Sequence, residues 1–214
     1  GHGEGEMYLG SDAIALAPFT NAITYLEDGD WAVVRRGGME IFDIDGNSVD
    51  RPRQQSIGTS YLVDKGNYRH FMQKEIHEQP EVISHTLSNY LDMANGRVLV
   101  PDLGIDLATV PRVTISACGT AYYAGLVGKY WIERYARVPV EIDIASELRY
   151  REAPLPAGGL ALFVSQSGET ADTLATLRYA RENGQRIASI VNVRTSTIAR
   201  ESDAVLPTLA GPEI

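Results

Sequence analysis

After Pro111 the chain settles into an alternation of short apolar runs and helix-period stretches, and few folds accept that arrangement. The strand-like runs are residues 113–117, 140–144, 160–164, 187–191 and 204–206. Between them lie helical patterns at 122–136, 146–151, 171–182 and 197–201. A sheet with one wet face would alternate apolar and polar residues. Near-continuous apolar strands with helices between them instead predict a parallel sheet covered on both faces. Five such strands make a complete α/β domain, a doubly wound five-stranded parallel sheet. With 44% apolar and 22% charged residues, the 214-residue chain can bury a core of that size.

The texture before residue 65–80 is different. Runs at 22–26, 31–35, 39–44 and 47–49 are separated by Glu27-Asp28-Gly29-Asp30, Gly37-Gly38 and Asp45-Gly46. Such turn pairs between β-branched and aromatic runs predict hairpins, here an antiparallel meander of three or four strands. A piece that small needs a surface to pack on, so it is expected to be the less stable part. Residues 51–58 are polar, contain a proline and read as loop. From Asn67 the period turns helical, with Tyr68, Phe71, Met72 and Ile76 as apolar positions. Pro80 is expected to interrupt this helix, because an interior proline removes a hydrogen bond. A second helix then starts at Pro80, buries Val82, Ile83, Leu87, Tyr90 and Leu91, and ends at Asn95-Gly96. The chain thus divides into residues 1–66, a linker and first helix at 67–80, and the sheet domain at 81–214. The first methionine is Met7, and the chain reads as a piece of something longer.

Charge and cysteine usage exclude several classes of function. A formal net charge of −9 opposes non-specific binding to nucleic acid or anionic membrane, so neither is expected as a partner. The single cysteine, Cys118, excludes an intrachain disulfide framework and a cysteine-rich zinc site. It fits a reducing compartment, and a cytoplasmic location is expected. No apolar stretch approaches 18 residues and no export leader opens the chain. His77, Glu81 and His85 stand four apart as metal ligands on a helix would, but Pro80 lies between them. They read as solvated or packed side chains, and no metal or cofactor is expected.

In an open parallel sheet, ligands bind at the carboxyl ends of the strands. Two strand ends here carry suggestive residues, Ser116-Ala117-Cys118-Gly119-Thr120-Ala121 and Ser165-Gln166-Ser167-Gly168-Glu169-Thr170. The second is the sharper signal. It places three hydroxyls, a carboxamide and a glycine at a helix N-terminus, where free N–H groups and the helix dipole favour an anion. The segment has no lysine, so it is not the phosphate loop of a nucleotide hydrolase. A neutral hydroxyl cradle suits a sugar phosphate that must bind and leave. The alternative is plain capping by Ser or Thr, and on the pattern alone both readings stand. Cys118 has no histidine near it in sequence, so a small buried cysteine is a better reading than a nucleophile. Beside it, Thr120 offers a hydroxyl to the same pocket. Glu141, Asp143 and Glu147 fit an acid–base pair or a solvated sheet end. Tyr122, Tyr123, Tyr130, Trp131 and Tyr135 read as core and interface, because no basic stripe accompanies them.

Three stretches together resemble the glutamine–fructose-6-phosphate aminotransferase family. They are the loop Ser165-Gln166-Ser167-Gly168-Glu169-Thr170-Ala171-Asp172-Thr173 with Ala117-Cys118-Gly119-Thr120, the linker from Asp64-Lys65-Gly66-Asn67 to Lys74-Glu75-Ile76, and the opening Gly3-Glu4-Gly5-Glu6 with Ser11-Asp12. The resemblance implies a fold and an activity. Members join a glutaminase domain of the N-terminal-nucleophile type to two sugar-isomerase (SIS) domains. They convert fructose 6-phosphate and glutamine to glucosamine 6-phosphate and glutamate. Residues 1–66 would be the end of the glutaminase domain and 81–214 the first SIS domain. By motif, Ser165, Gln166, Ser167 and Thr170 match the sugar-phosphate loop, and Thr120 a second substrate contact. Ala121 departs from the serine often found there, so one phosphate contact is missing or made by water. The family's nucleophile is an N-terminal cysteine, whereas position 1 is Gly1, and its isomerising groups lie in the second SIS domain and tail. The resemblance therefore assigns no catalytic residue to this chain. Implied partners are fructose 6-phosphate or a related sugar phosphate, the second SIS domain and a homodimer partner. A non-catalytic phosphosugar-sensing module and a simple sugar-phosphate isomerase are the rival classes, and neither needs the meander and linker.

Overall fold

The computed structural model describes residues 1–10, 13–56, 65–100 and 104–211. The chain forms two compact units, Gly1–Glu78 and Gln79–Ala210.

In the first unit, a short helix α1 (Ala13–Leu16) precedes strands β1 (Ala22–Thr24), β2 (Trp31–Arg35), β3 (Gly38–Phe42), β4 (Ser48–Val49) and β5 (Arg53–Gln55). Strands β2, β3 and β4 form the expected antiparallel meander, with Trp31 opposite Phe42 and the two rings stacked at 4.3 Å. The turn between β3 and β4 is held by the Asp43 carboxylate, which accepts the N–H groups of Asp45 and Asn47 at 3.0 and 2.8 Å. Strand β1 does not join this meander. It pairs with β5, which reading residues 51–58 as loop had missed. All three residues of Arg53-Gln54-Gln55 are exposed, so the strand leaves no apolar pattern to read. The end of that stretch lies outside the described residues.

Helix α2 (Phe71–Tyr90) carries the chain across the boundary between the units, and it corrects the expected break at Pro80. An interior proline deletes one i→i−4 bond, and the bonds on either side carry a 20-residue helix through it. None of its residues is fully buried, and Ile83 and Leu87, expected on a buried face, are 56% and 48% exposed. The helix ends at Tyr90, whose hydroxyl donates to the Pro207 carbonyl at 2.7 Å. Asn95-Gly96 is a hairpin turn instead of a helix end. It joins β6 (Leu91–Asp92) to β7 (Arg97–Val98), with the Asp92 carboxylate accepting from the N–H groups of Ala94 and Asn95.

The second unit contains β8 (Val113–Ala117), α3 (Gly119–Trp131) with a π-helical turn at Ile132–Ala136, and β9 (Val140–Ile144). It continues through α4 (Ala145–Arg151), β10 (Leu160–Ser165), α5 (Ala171–Glu182), β11 (Arg186–Val191), α6 (Thr197–Arg200) and β12 (Ala204–Pro207). The five strands pair in parallel in the order β12-β11-β10-β8-β9. One face buries Phe163, Ile187 and Val191 beneath Leu177 of α5 and Ile198 of α6, all at 0–1% exposure. The other buries Val113, Ile115, Val140 and Leu160. There α3 lies so close to the sheet that a Cβ on Gly125 would meet Ile115 at 2.9 Å. Full burial contributes about 1.5–3 kcal/mol for each large apolar side chain, so this unit carries its own core. The aromatic residues of α3 are not part of it. Tyr123, Tyr130, Trp131 and Tyr135 are all more than 60% exposed, because the inward positions of α3 are taken by small residues such as Gly125.

Candidate functional site

The strand order reverses between β8 and β10. The chain steps outward from β8 to β9 on one side and from β10 through β11 to β12 on the other. At the carboxyl edge this leaves a crevice into which both α3 and α5 open, the place where doubly wound sheets bind ligands. A pocket of about 280 Å³ lies there. Thr120, Ser165, Gln166, Ser167 and Thr170 all line it, together with Cys118, Ala121 and Thr173. The residues singled out from sequence thus come together in one place.

The side chains that precede the two helices do not cap them. Cys118 stands at the N-cap of α3 and Thr170 at that of α5, and neither makes a side-chain capping bond. The serines act within the loop instead. Ser165 Oγ accepts the Gly168 N–H at 3.0 Å, Ser167 Oγ accepts the Glu169 N–H at 3.2 Å, and Ser165 Oγ lies 3.4 Å from Thr170 Oγ1. The first N–H groups of both helices have no intrahelical acceptor, so two positive helix ends converge on the pocket. No Lys, Arg, His, Asp or Glu lines it among the described residues. The donors it presents are backbone N–H groups and hydroxyls.

The backbone permits this only through glycine. Gly168 has φ +67°, and a Cβ there would fall 2.0 Å from the Ser196 hydroxyl oxygen. Ser196 was not anticipated from sequence. It is 2% exposed, accepts the Ala199 N–H at 3.4 Å as the N-cap of α6, and fills the space behind Gly168. Its own signal, a serine opening the run Thr197-Ile198-Ala199-Arg200, marks a helix start but says nothing of the pocket. The Gln166 carbonyl accepts the N–H groups of Asn192 and Val193, at 3.1 and 3.3 Å, which supports the loop from the same side.

The remaining sequence candidates lie elsewhere or are otherwise engaged. Cys118 lines the pocket half-buried, with its sulfur 3.9 Å from the Thr173 hydroxyl. Glu141 pairs with Arg112 at 2.8 Å and Asp143 pairs with Arg151, so these β9 carboxylates are ion-paired and do not line the pocket. His77 stacks on Tyr68, and His85 lies 3.9 Å from Glu81. Among the described residues no group of three or more His, Cys, Asp or Glu is placed to hold a metal ion. No described helix is long and apolar enough to cross a membrane.

The family model of the SIS domain matches residues 106–214. The chain belongs to the SIS-domain family. This SIS chain is similar throughout its length to longer proteins. A glutamine–fructose-6-phosphate aminotransferase [isomerizing] of Mesorhizobium japonicum is 71% identical over all 214 residues, and one of Brucella abortus is 67% identical. The chain spans 35% of the length of each. Among solved structures, the C-terminal domain of glucosamine-fructose-6-phosphate aminotransferase from Francisella tularensis matches with a TM-score of 0.64 and 46% identity, over 71% of this chain and 42% of that one. Glucosamine-6-phosphate deaminase of Thermotoga maritima shares the fold at 23% identity, with a TM-score of 0.55 over 67% of this chain and 41% of that one.

Proposed function

We propose that this SIS chain is a segment of a glutamine–fructose-6-phosphate aminotransferase and that its pocket holds the phosphate of fructose 6-phosphate. The observation that carries the reading is the convergence of two uncapped helix N-termini and a hydroxyl-lined loop on one neutral pocket. The hydroxyls of Ser165, Ser167 and Thr170 and the adjacent N–H groups replace the water around the phosphate. Gln166 and Thr120, which also line the pocket, face the sugar. Without a cationic side chain the site binds the anion reversibly, as an enzyme that must release a phosphorylated product requires. The complete enzyme transfers the amide nitrogen of glutamine to the open-chain ketose, yielding glucosamine 6-phosphate and glutamate.

In this reading residues 1–66 belong to the glutaminase domain, and a second SIS domain and a homodimer partner complete the site. The exposed aromatic face of Tyr123, Tyr130 and Trp131 supports a protein partner. A cytoplasmic location follows from the reaction. The match to the aminotransferase covers all 214 residues, residues 1–66 included, which supports the aminotransferase over a sensing module or a simple isomerase. Calorimetry with fructose 6-phosphate and with fructose tests the phosphate assignment. The account expects binding of the phosphate ester and none of the free sugar at the same concentration; equal binding of both contradicts it.

A further inference from the structure

Glu169 is an unexpected residue beside an anion site. The pocket lining is neutral, and a carboxylate one residue before the N-cap of α5 repels an incoming phosphate even through solvent. The side chain is on an exposed residue, yet it has a specific partner. Its Oε1 accepts the backbone N–H of Thr197 at 2.7 Å. Thr197 is the first residue of α6, and the residue before it, Ser196, is the buried one that fills the space behind Gly168. A main-chain bond runs beside this one, from the Ile198 N–H to the Gly168 carbonyl at 3.0 Å. The turn that presents the hydroxyls is therefore fastened to the start of α6 by its backbone at Gly168 and by a side chain at Glu169.

We propose that Glu169 is a positioning residue for the phosphate site, fixing the turn 167–170 on the first turn of α6. The proposal rests on the phosphate reading of the pocket. Its physical route is short. The N–H of Glu169 donates to Ser167 Oγ, and the next residue, Thr170, places its hydroxyl against Ser165. Rotation of the Glu169 peptide displaces both hydroxyls and the N–H groups that open α5. The bond to Thr197 opposes that rotation.

Fructose 6-phosphate binding by the full chain, measured by calorimetry with folding checked by circular dichroism, tests this with four single variants and one double variant. Glu169→Ala removes the acceptor, and the expected result is binding about tenfold weaker. Glu169→Gln keeps an acceptor oxygen and removes the repelling charge, so it should bind at least as tightly as the parent. Thr197→Pro removes the same bond from the donor side. Proline fits the first position of a helix, and Ser196, at φ −67° and ψ 162°, already has the backbone that a residue before proline adopts. It should also weaken binding about tenfold, and the Glu169→Ala/Thr197→Pro pair should be no weaker than the poorer single variant. Ser167→Ala is the control for the pocket itself. If Ser167→Ala weakens binding while folded Glu169→Ala binds as tightly as the parent or more tightly, the positioning role is overturned and the phosphate reading stands. If the parent does not bind, or Ser167→Ala binds as the parent does, the phosphate reading fails and the positioning role fails with it.

Discussion

A pocket in the Gly1–Glu78 unit is larger than the one at the β8–β10 crevice, about 730 Å³ against about 280 Å³, and it carries charge. His2, Glu40, Asp50, Arg51 and Arg53 line it, whereas the pocket at the β8–β10 crevice has no charged residue. Two of these charges, Arg51 and Glu40, are engaged by residues outside the lining. Arg51 holds Asp30 through two bonds of 2.9 Å and reaches Glu27 at 3.0 Å, and Arg35 holds Glu40 at 3.1 Å. Burial, and after it Arg53, lowers the pKa of His2, so that ring is neutral over more of the pH range. The two units also differ in what supports them. In the first, the buried apolar residues among those described are Leu16, Ala17, Ala22, Ile23 and Ile41, while the second buries both faces of a five-stranded sheet. Under the phosphate reading, the site needs fixed donors more than free cations. The parallel sheet supplies them by aiming two helix ends at one point.

The largest expected effect on this contrast comes from Gly168→Ala. A left-handed backbone costs about 1–2 kcal/mol for a residue with a Cβ, and the new carbon also strikes Ser196. Overpacking of that kind adds about 1–3 kcal/mol. Fructose 6-phosphate affinity should fall more than about a hundredfold with the sheet still folded. A near-parental dissociation constant would break the comparison, because the loop would then not need its observed shape. Ser167→Ala and Thr170→Val come next. Each removes one hydroxyl, and a hydrogen bond to a charged group contributes about 1.5–3 kcal/mol, so each should weaken binding roughly ten- to a hundredfold. Unchanged affinity in both would leave these hydroxyls with a role in loop structure only.

How much of this was legible in sequence follows from burial. The strands at 113–117 and 187–191 are covered on both faces, so they read as near-continuous apolar runs broken only by small buried hydroxyl residues. Strand β5, Arg53-Gln54-Gln55, is wet throughout and wrote no pattern. Continuity of α2 through Pro80 was not legible either, because a local rule about one missing bond cannot weigh the turns on either side. At the site, the hydroxyls of 165–170 announced themselves by clustering before a helix. Ser196 and the Glu169–Thr197 bond did not, since each acts through a segment about 30 residues away in the chain that only the β10–β11 pairing brings near. The aromatic face of α3 misled as to the core, because tyrosine and tryptophan look alike in sequence whether they face inward or out.

Two smaller effects sharpen the comparison from the charged side. The Asp30 carboxyl is held below its usual pKa, first by its hydrogen bond from Arg51 and then by the Glu27 N–H. A group depressed in the folded state adds stability above its unfolded pKa, which is about 4. That stability is lost as the pH falls through the folded value. Asp30→Asn should therefore destabilise the first unit at pH 7, with the deficit shrinking toward pH 2–3 in thermal melts, and a deficit independent of pH would mean the ion pair is not its source. Arg53→Ala, which removes a cation from the larger pocket, should change fructose 6-phosphate affinity by less than about twofold. A larger loss would point to the charged pocket as the anion site.

The two pockets are separated most directly by titrating the isotopically labelled chain with fructose 6-phosphate and following its backbone amide resonances. The account predicts saturable shifts concentrated at Gly119, Thr120 and Ala121 and at Ser167, Gly168, Glu169 and Thr170, where the two helix N-termini meet the ligand, with the amides of Met39, Ile41, Arg51 and Arg53 unmoved. Shifts confined to that second group, with the α3 and α5 starts silent, would contradict it.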